Sequence, residues 1–332
     1  MNLIITTHCN KNCSFCFARS INSAKPAVMS MDNFKKILDF AQVSKMGPIK
    51  LLGGEPTTHP LFLDFMKELM HRKIAFTLIS NLLYEDPKIQ ESIINAISAR
   101  SLLSILANTS ELNEKTTPIF KNNYDELAKL ARTNIAFSLS SAITISRHKS
   151  PEEELAYITW LTDTFDIHQQ RLAHDMLGNN EDDLFFINNT TYGNKVLAMI
   201  RHFLSREIPV SWDCKMYPCI FKDAFTAHRK IKQLISKVDF TCHGCPLDVF
   251  PNLEYIHCYP ASKLRGKNLL QFATAQEAVK DLLFRKKVLL AELPRPSECL
   301  ACPYFKSGEC ESICLGCSSI PETSLSLSDY TL

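Results

Sequence analysis

Short apolar runs separated by helix-patterned stretches fill the first two thirds of the chain, and this alternation limits the fold more than any other feature. The runs lie at residues 2–7, 49–52, 74–80, 102–107, 135–140, 168–172 and 209–212. Between the first two, Phe34, Ile37, Leu38 and Ala41 follow the i, i+3, i+4, i+7 spacing of a helix, with Ser30 as its N-cap. Pro60 suits the first turn of the next helix, where Leu61, Phe65, Leu69 and Phe62, Met66, Met70 make apolar rows. Further helices are expected over 87–98, 124–133, 151–165 and 192–204. Strand–helix alternation predicts an α/β fold with a parallel sheet covered by helices. Six such units make an open, partial (β/α)6 TIM-like barrel, whose chemistry belongs at the C-terminal strand ends. Trp160 and the many Phe side chains read as core.

The pattern changes after residue 212. Ten of the 13 cysteines fall between 214 and 317, where only a hairpin (247–250 and 254–257, turning at Pro251–Asn252) and a helix over 275–292 stand out. A segment so poor in core needs staples, which metal would supply. The expected division is a barrel over 1–213, a small cysteine-rich extension over 214–321, and a flexible Ser-rich tail over 322–332. The 332 residues, 45% of them hydrophobic, suffice for one large domain or for a medium and a small one. A net charge of +2 without charged runs offers no electrostatic case for nucleic acid or anionic lipid. No signal peptide and no long apolar run are evident, so a cytoplasmic protein without a membrane span is expected. Thiols stay reduced there, and clustered cysteines read as metal ligands rather than disulfides.

The first apolar run leads straight into His8-Cys9-Asn10-Lys11-Asn12-Cys13-Ser14-Phe15-Cys16. Three thiols on one loop can converge on one iron–sulfur cluster, for which thiolate is the usual ligand. No fourth cysteine is near, so a four-iron cluster held there keeps one iron open. The second run ends in Gly53-Gly54-Glu55-Pro56, and the chain has only 9 glycines. Two in succession mark a close backbone approach. The third run ends in Ser80-Asn81.

The Cys-x3-Cys-x2-Cys loop with Phe15 before its last cysteine, followed by Gly-Gly-Glu-Pro at the next strand end, resembles the radical S-adenosylmethionine (SAM) superfamily. The resemblance implies that Cys9, Cys13 and Cys16 hold a catalytic [4Fe-4S] cluster whose open iron binds SAM. It further implies that Phe15 lies against adenine, that Gly53, Gly54, Glu55 and Pro56 hold the SAM ammonium, and that Ser80-Asn81 contact the ribose. Leu82 stands where the family usually has glycine after the asparagine. Arg171 is a candidate for the SAM carboxylate, with a surface salt bridge as its alternative. His8 reads as a strand-end polar residue.

The tail, with Cys214, Cys219, Cys242, Cys245, Cys258, Cys299, Cys302, Cys310, Cys314 and Cys317, is similar to SPASM-type extensions of that superfamily, which hold one or two auxiliary [4Fe-4S] clusters. By that resemblance Cys242, Cys245, Cys258 and Cys314 form an inner set, and Cys299, Cys302, Cys310 and Cys317 an outer one. Cys214 and Cys219 are then spare, or they belong to the inner cluster in place of Cys242 and Cys314. The sequence departs from the pattern in the seven residues between Cys302 and Cys310, where five are usual, and in Leu253, where glycine is usual. Zinc remains the alternative metal for the paired tail cysteines.

The resemblance implies an enzyme that cleaves SAM reductively to a 5′-deoxyadenosyl radical and abstracts a substrate hydrogen. Its expected substrate is a peptide or protein, the outcome a crosslink, oxidation or epimerisation. The alternative is a sugar or amino-acid derivative handled by an oxidase or dehydrogenase; a non-catalytic iron–sulfur or zinc protein is the alternative of another class. A flavodoxin- or ferredoxin-type electron donor is implied. Because the first strand begins at Asn2, recruitment of a peptide is expected to use a separate protein or the barrel mouth.

Overall fold

The computed structural model describes residues 1–16, 18, 26–175, 185–222, 247–256, 267–293, 295–312 and 314. Strands β1 (Asn2–Thr6), β2 (Ile49–Gly53), β3 (Phe76–Ser80), β4 (Leu102–Asn108), β5 (Ser138–Ile145), β6 (Gln170–His174) and β7 (Val210–Trp212) pair in sequence order, all parallel. Each of the first six is followed by a helix: α1 (Met31–Val43), α2 (Phe62–His71), α3 (Pro87–Ser98), α4 (Thr116–Thr133), α5 (Pro151–Thr164) and α6 (Thr190–Ser205). These are the six expected units. The strand order ends at β7 on one side, so the sheet is open rather than closed into a ring.

Local chemistry accounts for the helix starts. Ser30 accepts a hydrogen bond from the Asn33 amide, and Asp86 one from Lys88. Ser150 and Glu153 form a reciprocal capping box ahead of Pro151. Pro60 falls in the turn before α2 rather than in its first turn; the His59 ring closes that turn, its Nδ1 accepting from the Leu61 amide at 2.9 Å. Helix α4 starts eight residues ahead of the expected 124. Pro118 lies in its first turn, where a missing N–H is tolerated, and Phe120, Tyr124 and Leu127 continue one buried face.

Strand β5 begins at Ser138 rather than 135, because residues 134–137 close a turn (Phe137 amide to Asn134 carbonyl, 3.0 Å) that leaves Ile135 fully exposed. Strand β6 likewise sits two residues later than expected. Trp160, expected in the core, is on the surface at 37% exposure, its ring tilted on Tyr157 and edge-on to Phe165.

The main core lies between the sheet and its helices, where Phe34 and Phe65 stack at 4.1 Å between ring centres. Beyond β1 the expected hairpin extends the same sheet. Strand β8 (Asp248–Val249) pairs parallel with β1, and β9 (Tyr255–Ile256) pairs antiparallel with β8. On the opposite face Phe250 and Ile256 pack with Ile4, Ala18 and the half-buried Cys16. Helix α7 (Ala275–Glu292) is anchored to the end of α1, with the Ala275 amide donating to Ser44 Oγ at 2.8 Å. Its buried Asp281–Arg285 pair (2.6 Å) takes in the Tyr255 hydroxyl. Short helices α8 (Ser297–Ala301) and α9 (Pro303–Lys306) follow.

Candidate metal centre at the strand ends

The cysteine loop is held by the ends of three consecutive strands. At β2, the Gly54 and Glu55 amides donate to the Thr6 and His8 carbonyls, both at 2.8 Å. His8 is an exposed strand-end residue whose Nδ1 lies 3.0 Å from Thr58 Oγ1. At β3, Asn10 accepts from Asn81 Nδ2 at 2.8 Å and donates to the Leu83 carbonyl at 2.7 Å. At β4, Lys11 Nζ donates to the Ser110 carbonyl, and the Ser14 amide and hydroxyl both donate to the Glu111 carboxylate. Cys9 and Cys16 are half-buried and Cys13 is buried, with the Cys16 amide closing a turn onto the Cys13 carbonyl at 3.2 Å. Phe15, half-buried, lies inside that turn.

The glycine pair serves this loop directly. A Cβ on Gly53 would stand 2.2 Å from the Thr6 carbonyl oxygen, and one on Gly54 would stand 2.2 Å from that of His8. No side chain fits either place, so the close approach these glycines permit includes the protein's own cysteine loop. Glu55 is fully buried. Its carboxylate accepts from the Thr57 amide and hydroxyl, from Ser80 Oγ at 2.8 Å and from the Asn81 amide at 2.6 Å. Burial pushes its ionisation up, and those hydrogen bonds pull it back. Glu55, Ser80 and Asn81 thus form one bracket between β2 and β3, with Pro56 buried beside it in the 3-10 turn Pro56–Thr58.

Leu82 and Leu253, which stand where glycine is usual, both have left-handed backbones, with φ of +54° and +72°. At both positions a leucine holds a backbone conformation to which glycine is better suited. Both side chains are buried, Leu82 completely, which offsets the strain.

Arg171 pairs with Asp213, just past β7. Lys11, Asn10, Ser110 and Glu111 were not singled out from sequence. Ser14 and Glu111 are 97 positions apart, and only their places at adjacent strand ends could have connected them.

The donors suit an iron–sulfur cluster. Burial pushes the Cys9 and Cys13 thiols up to about 11, with Lys11 pulling against it for both. A bound cationic cluster would reverse that penalty and hold them as thiolates. Among the described residues, no three Cys, His, Asp or Glu side chains converge on a single-ion site. A cluster of several irons takes its thiolates at wider spacing than one zinc ion does.

The open parallel sheet thus presents the cysteine loop at its strand ends. Residues 3–161, just under half of the chain, match the Radical SAM superfamily. Over 83 residues, 24% of the chain, it is 36% identical to the tungsten-containing aldehyde ferredoxin oxidoreductase cofactor-modifying protein of Pyrococcus furiosus. The matched stretch spans 22% of that relative's length. The fold superposes on Streptococcus suis SuiB bound to S-adenosylmethionine with a TM-score of 0.57 at 15% identity, covering 92% of this chain and 68% of SuiB. Against SuiB bound to precursor peptide SuiA the TM-score is 0.58 at 14% identity, covering 92% and 69%. At such identity the likeness is one of fold. No helix among the described residues is long and apolar enough to cross a membrane.

Proposed function

We propose that this protein is a radical SAM enzyme that acts on a peptide or protein, with auxiliary clusters held by its cysteine-rich extension. The observation that carries the reading is a loop of three thiols tied to the ends of three parallel strands. When bound, a [4Fe-4S] cluster with SAM supplies reductive cleavage of SAM and a 5′-deoxyadenosyl radical able to abstract hydrogen. Cys9, Cys13 and Cys16 would hold the cluster, and the Lys11, Ser14 and Asn10 contacts fix their loop. Gly53 and Gly54 set its distance from β2, while Glu55 with Ser80 and Asn81 keeps the second and third strand ends in register. Phe15, Pro56 and Arg171, the last held by Asp213, are the further SAM-site candidates.

A peptide substrate is supported by the fold shared with SuiB, one structure of which holds a precursor peptide. A small-molecule substrate is the second reading, favoured by the more identical relative, which is described as cofactor-modifying. Residues 214–321 would act as the auxiliary-cluster part, and a flavodoxin- or ferredoxin-type protein in the cytoplasm would supply electrons. Iron and sulfide counts on anaerobically purified protein test the cluster content. About twelve irons, falling to about eight in a Cys9/Cys13/Cys16→Ala variant, are expected for one catalytic and two auxiliary clusters. About four irons with zinc in the tail would remove the auxiliary clusters. A precursor-type peptide that stimulates SAM cleavage would favour the first substrate reading; stimulation only by small molecules would favour the second.

A further inference from the structure

The turn that ends β4 sets a strained residue directly against the cysteine loop. Glu111 has a left-handed backbone, with φ of +52°, which is unfavourable for a residue with a Cβ. Two neighbouring elements fix this turn. From β5, the Ala142 carbonyl accepts from the Thr109 amide and hydroxyl, both at 2.9 Å, and the Thr144 amide donates to Ser110 Oγ at 2.9 Å. From α5, the Tyr157 hydroxyl donates to the Thr109 carbonyl and accepts from the Leu112 amide at 3.0 Å. Within the turn, Asn108 Oδ1 accepts from the Ser110 amide at 2.9 Å. Thr109, Ser110 and Leu112 are buried. The left-handed backbone at Glu111 persists because its surroundings over-determine it.

The turn offers the cysteine loop one carbonyl and one carboxylate. The Ser110 carbonyl accepts from Lys11 Nζ. The Glu111 carboxylate accepts from the Ser14 amide at 3.0 Å and from the Ser14 hydroxyl. Lys11 is two residues from both Cys9 and Cys13, and Ser14 follows Cys13 directly. A cation and an anion are thus fixed beside the same three thiols, one on each side of Cys13 in the chain. Fixed charges around thiolate ligands tune the potential of the group those ligands hold. One-electron reduction by the flavodoxin- or ferredoxin-type donor leaves the site one charge more negative, so a fixed cation favours the reduced form and a fixed anion disfavours it.

From this geometry we infer that Glu111 is a positioning residue for the cysteine loop, and that Lys11 and Glu111 set the reduction potential of the cluster in opposite senses, Lys11 raising it and Glu111 lowering it. The inference rests on the assignment of a cluster to Cys9, Cys13 and Cys16 above, and adds what governs its potential. The strained backbone at Glu111 aims the carboxylate at Ser14, and β5 and α5 hold that aim through the Thr109, Ser110 and Leu112 contacts.

The test is a potentiometric titration of the iron-loaded full chain, followed by electron paramagnetic resonance. The catalytic signal is the one that changes when SAM is added. Lys11→Met and Glu111→Gln each remove one charge at similar side-chain length, and glutamine keeps an oxygen to which Ser14 can donate. The potential should fall in Lys11→Met, rise in Glu111→Gln, and stay near wild type in Lys11→Arg. Shifts in one direction for both neutral variants, or no shift, overturn the inference, because a loop merely loosened by lost contacts would move both alike. Should Lys11→Met fail to retain iron, Glu111→Gln carries the test alone, and a potential unchanged or lowered there overturns the inference. Wild-type protein without a SAM-sensitive signal overturns the cluster assignment itself, which is a different outcome. A second pair of measurements reads the strain. Glu111→Gly relieves the left-handed backbone and removes the carboxylate, so the iron-free protein should keep or raise its Tm while the loaded protein loses iron to a chelator faster than wild type. A lowered Tm, or iron loss as slow as in wild type, would contradict the positioning role.

Discussion

Replacing Gly54 by alanine tests whether the Gly-Gly turn positions the cysteine loop. The added Cβ would stand 2.2 Å from the His8 carbonyl oxygen, 2.5 Å from its carbon and 2.9 Å from the Thr7 carbonyl oxygen. All three are backbone atoms, so no side chain can swing away. Relief requires β1 and β2 to separate by roughly 1 Å at their ends, as in other overpacked sites. That movement would stretch the Gly54–Thr6 and Glu55–His8 hydrogen bonds, each now 2.8 Å, and would carry Cys9 with it. Overpacking of this kind costs about 1–3 kcal/mol, or roughly 2–6 °C in Tm for a chain of this size. A displacement of about 1 Å in a catalytic group lowers turnover by about 100-fold. Gly47→Ala is the matched control, because nothing lies within 4 Å of its Cβ position; it should be neutral or stabilising by about 0.4–1 kcal/mol. The assay is thermal unfolding, iron content and 5′-deoxyadenosine formation for both variants beside wild type. Gly54→Ala with unchanged Tm, iron and turnover would refute the reasoning.

Three further outcomes follow from the same structure. Leu82→Gly should be less destabilising than Leu82→Ala by about 1 kcal/mol, against the usual order, because both lose the buried side chain but only glycine relieves the positive φ; urea unfolding of the two variants gives the ranking. Glu55→Gln should lower stability by about 1–3 kcal/mol, since its amide nitrogen cannot accept from Ser80, Thr57 or Asn81; retention of wild-type stability would show that the bracket is dispensable. His174 at the end of β6 is buried against Tyr192 Oη at 2.8 Å, and burial lowers its ionisation from 6.5 to about 4. The unfolded chain therefore binds the extra proton first, so His174 favours the fold fully above 6.5 and this contribution fades as pH falls towards 4. The pH-dependent part is about 3 kcal/mol. His174→Phe, though less stable for losing the ring's hydrogen bond with the Tyr192 hydroxyl, should show a flatter stability profile over that interval; an equally steep one would remove His174 as the cause.

The parallel sheet was legible because its strands are apolar runs and its helices carry caps and periodic faces. The pattern misleads where polar residues interrupt it. In β5, Ser138, Ser140 and Ser141 break up the apolar run, so the sequence points to a strand that starts three residues early, over the Ile135-Ala136-Phe137 turn. The start of α4 was hidden by its polar first turn and Pro118. At the site, thiols and glycines carry their chemistry in their residue types, so the loop and its glycine turn could be read directly. The residues that fix the loop could not be: Lys11–Ser110 and Ser14–Glu111 join chain positions about a hundred apart through strand order alone.

The central claim, that Cys9, Cys13 and Cys16 hold a cluster that acts on SAM, is tested most directly by incubating anaerobic, iron-loaded, reduced protein with SAM and measuring 5′-deoxyadenosine. The account predicts its formation by wild type and its absence in the Cys9/Cys13/Cys16→Ala variant. No product from iron-loaded, reduced wild type, or equal product from the variant, would contradict it.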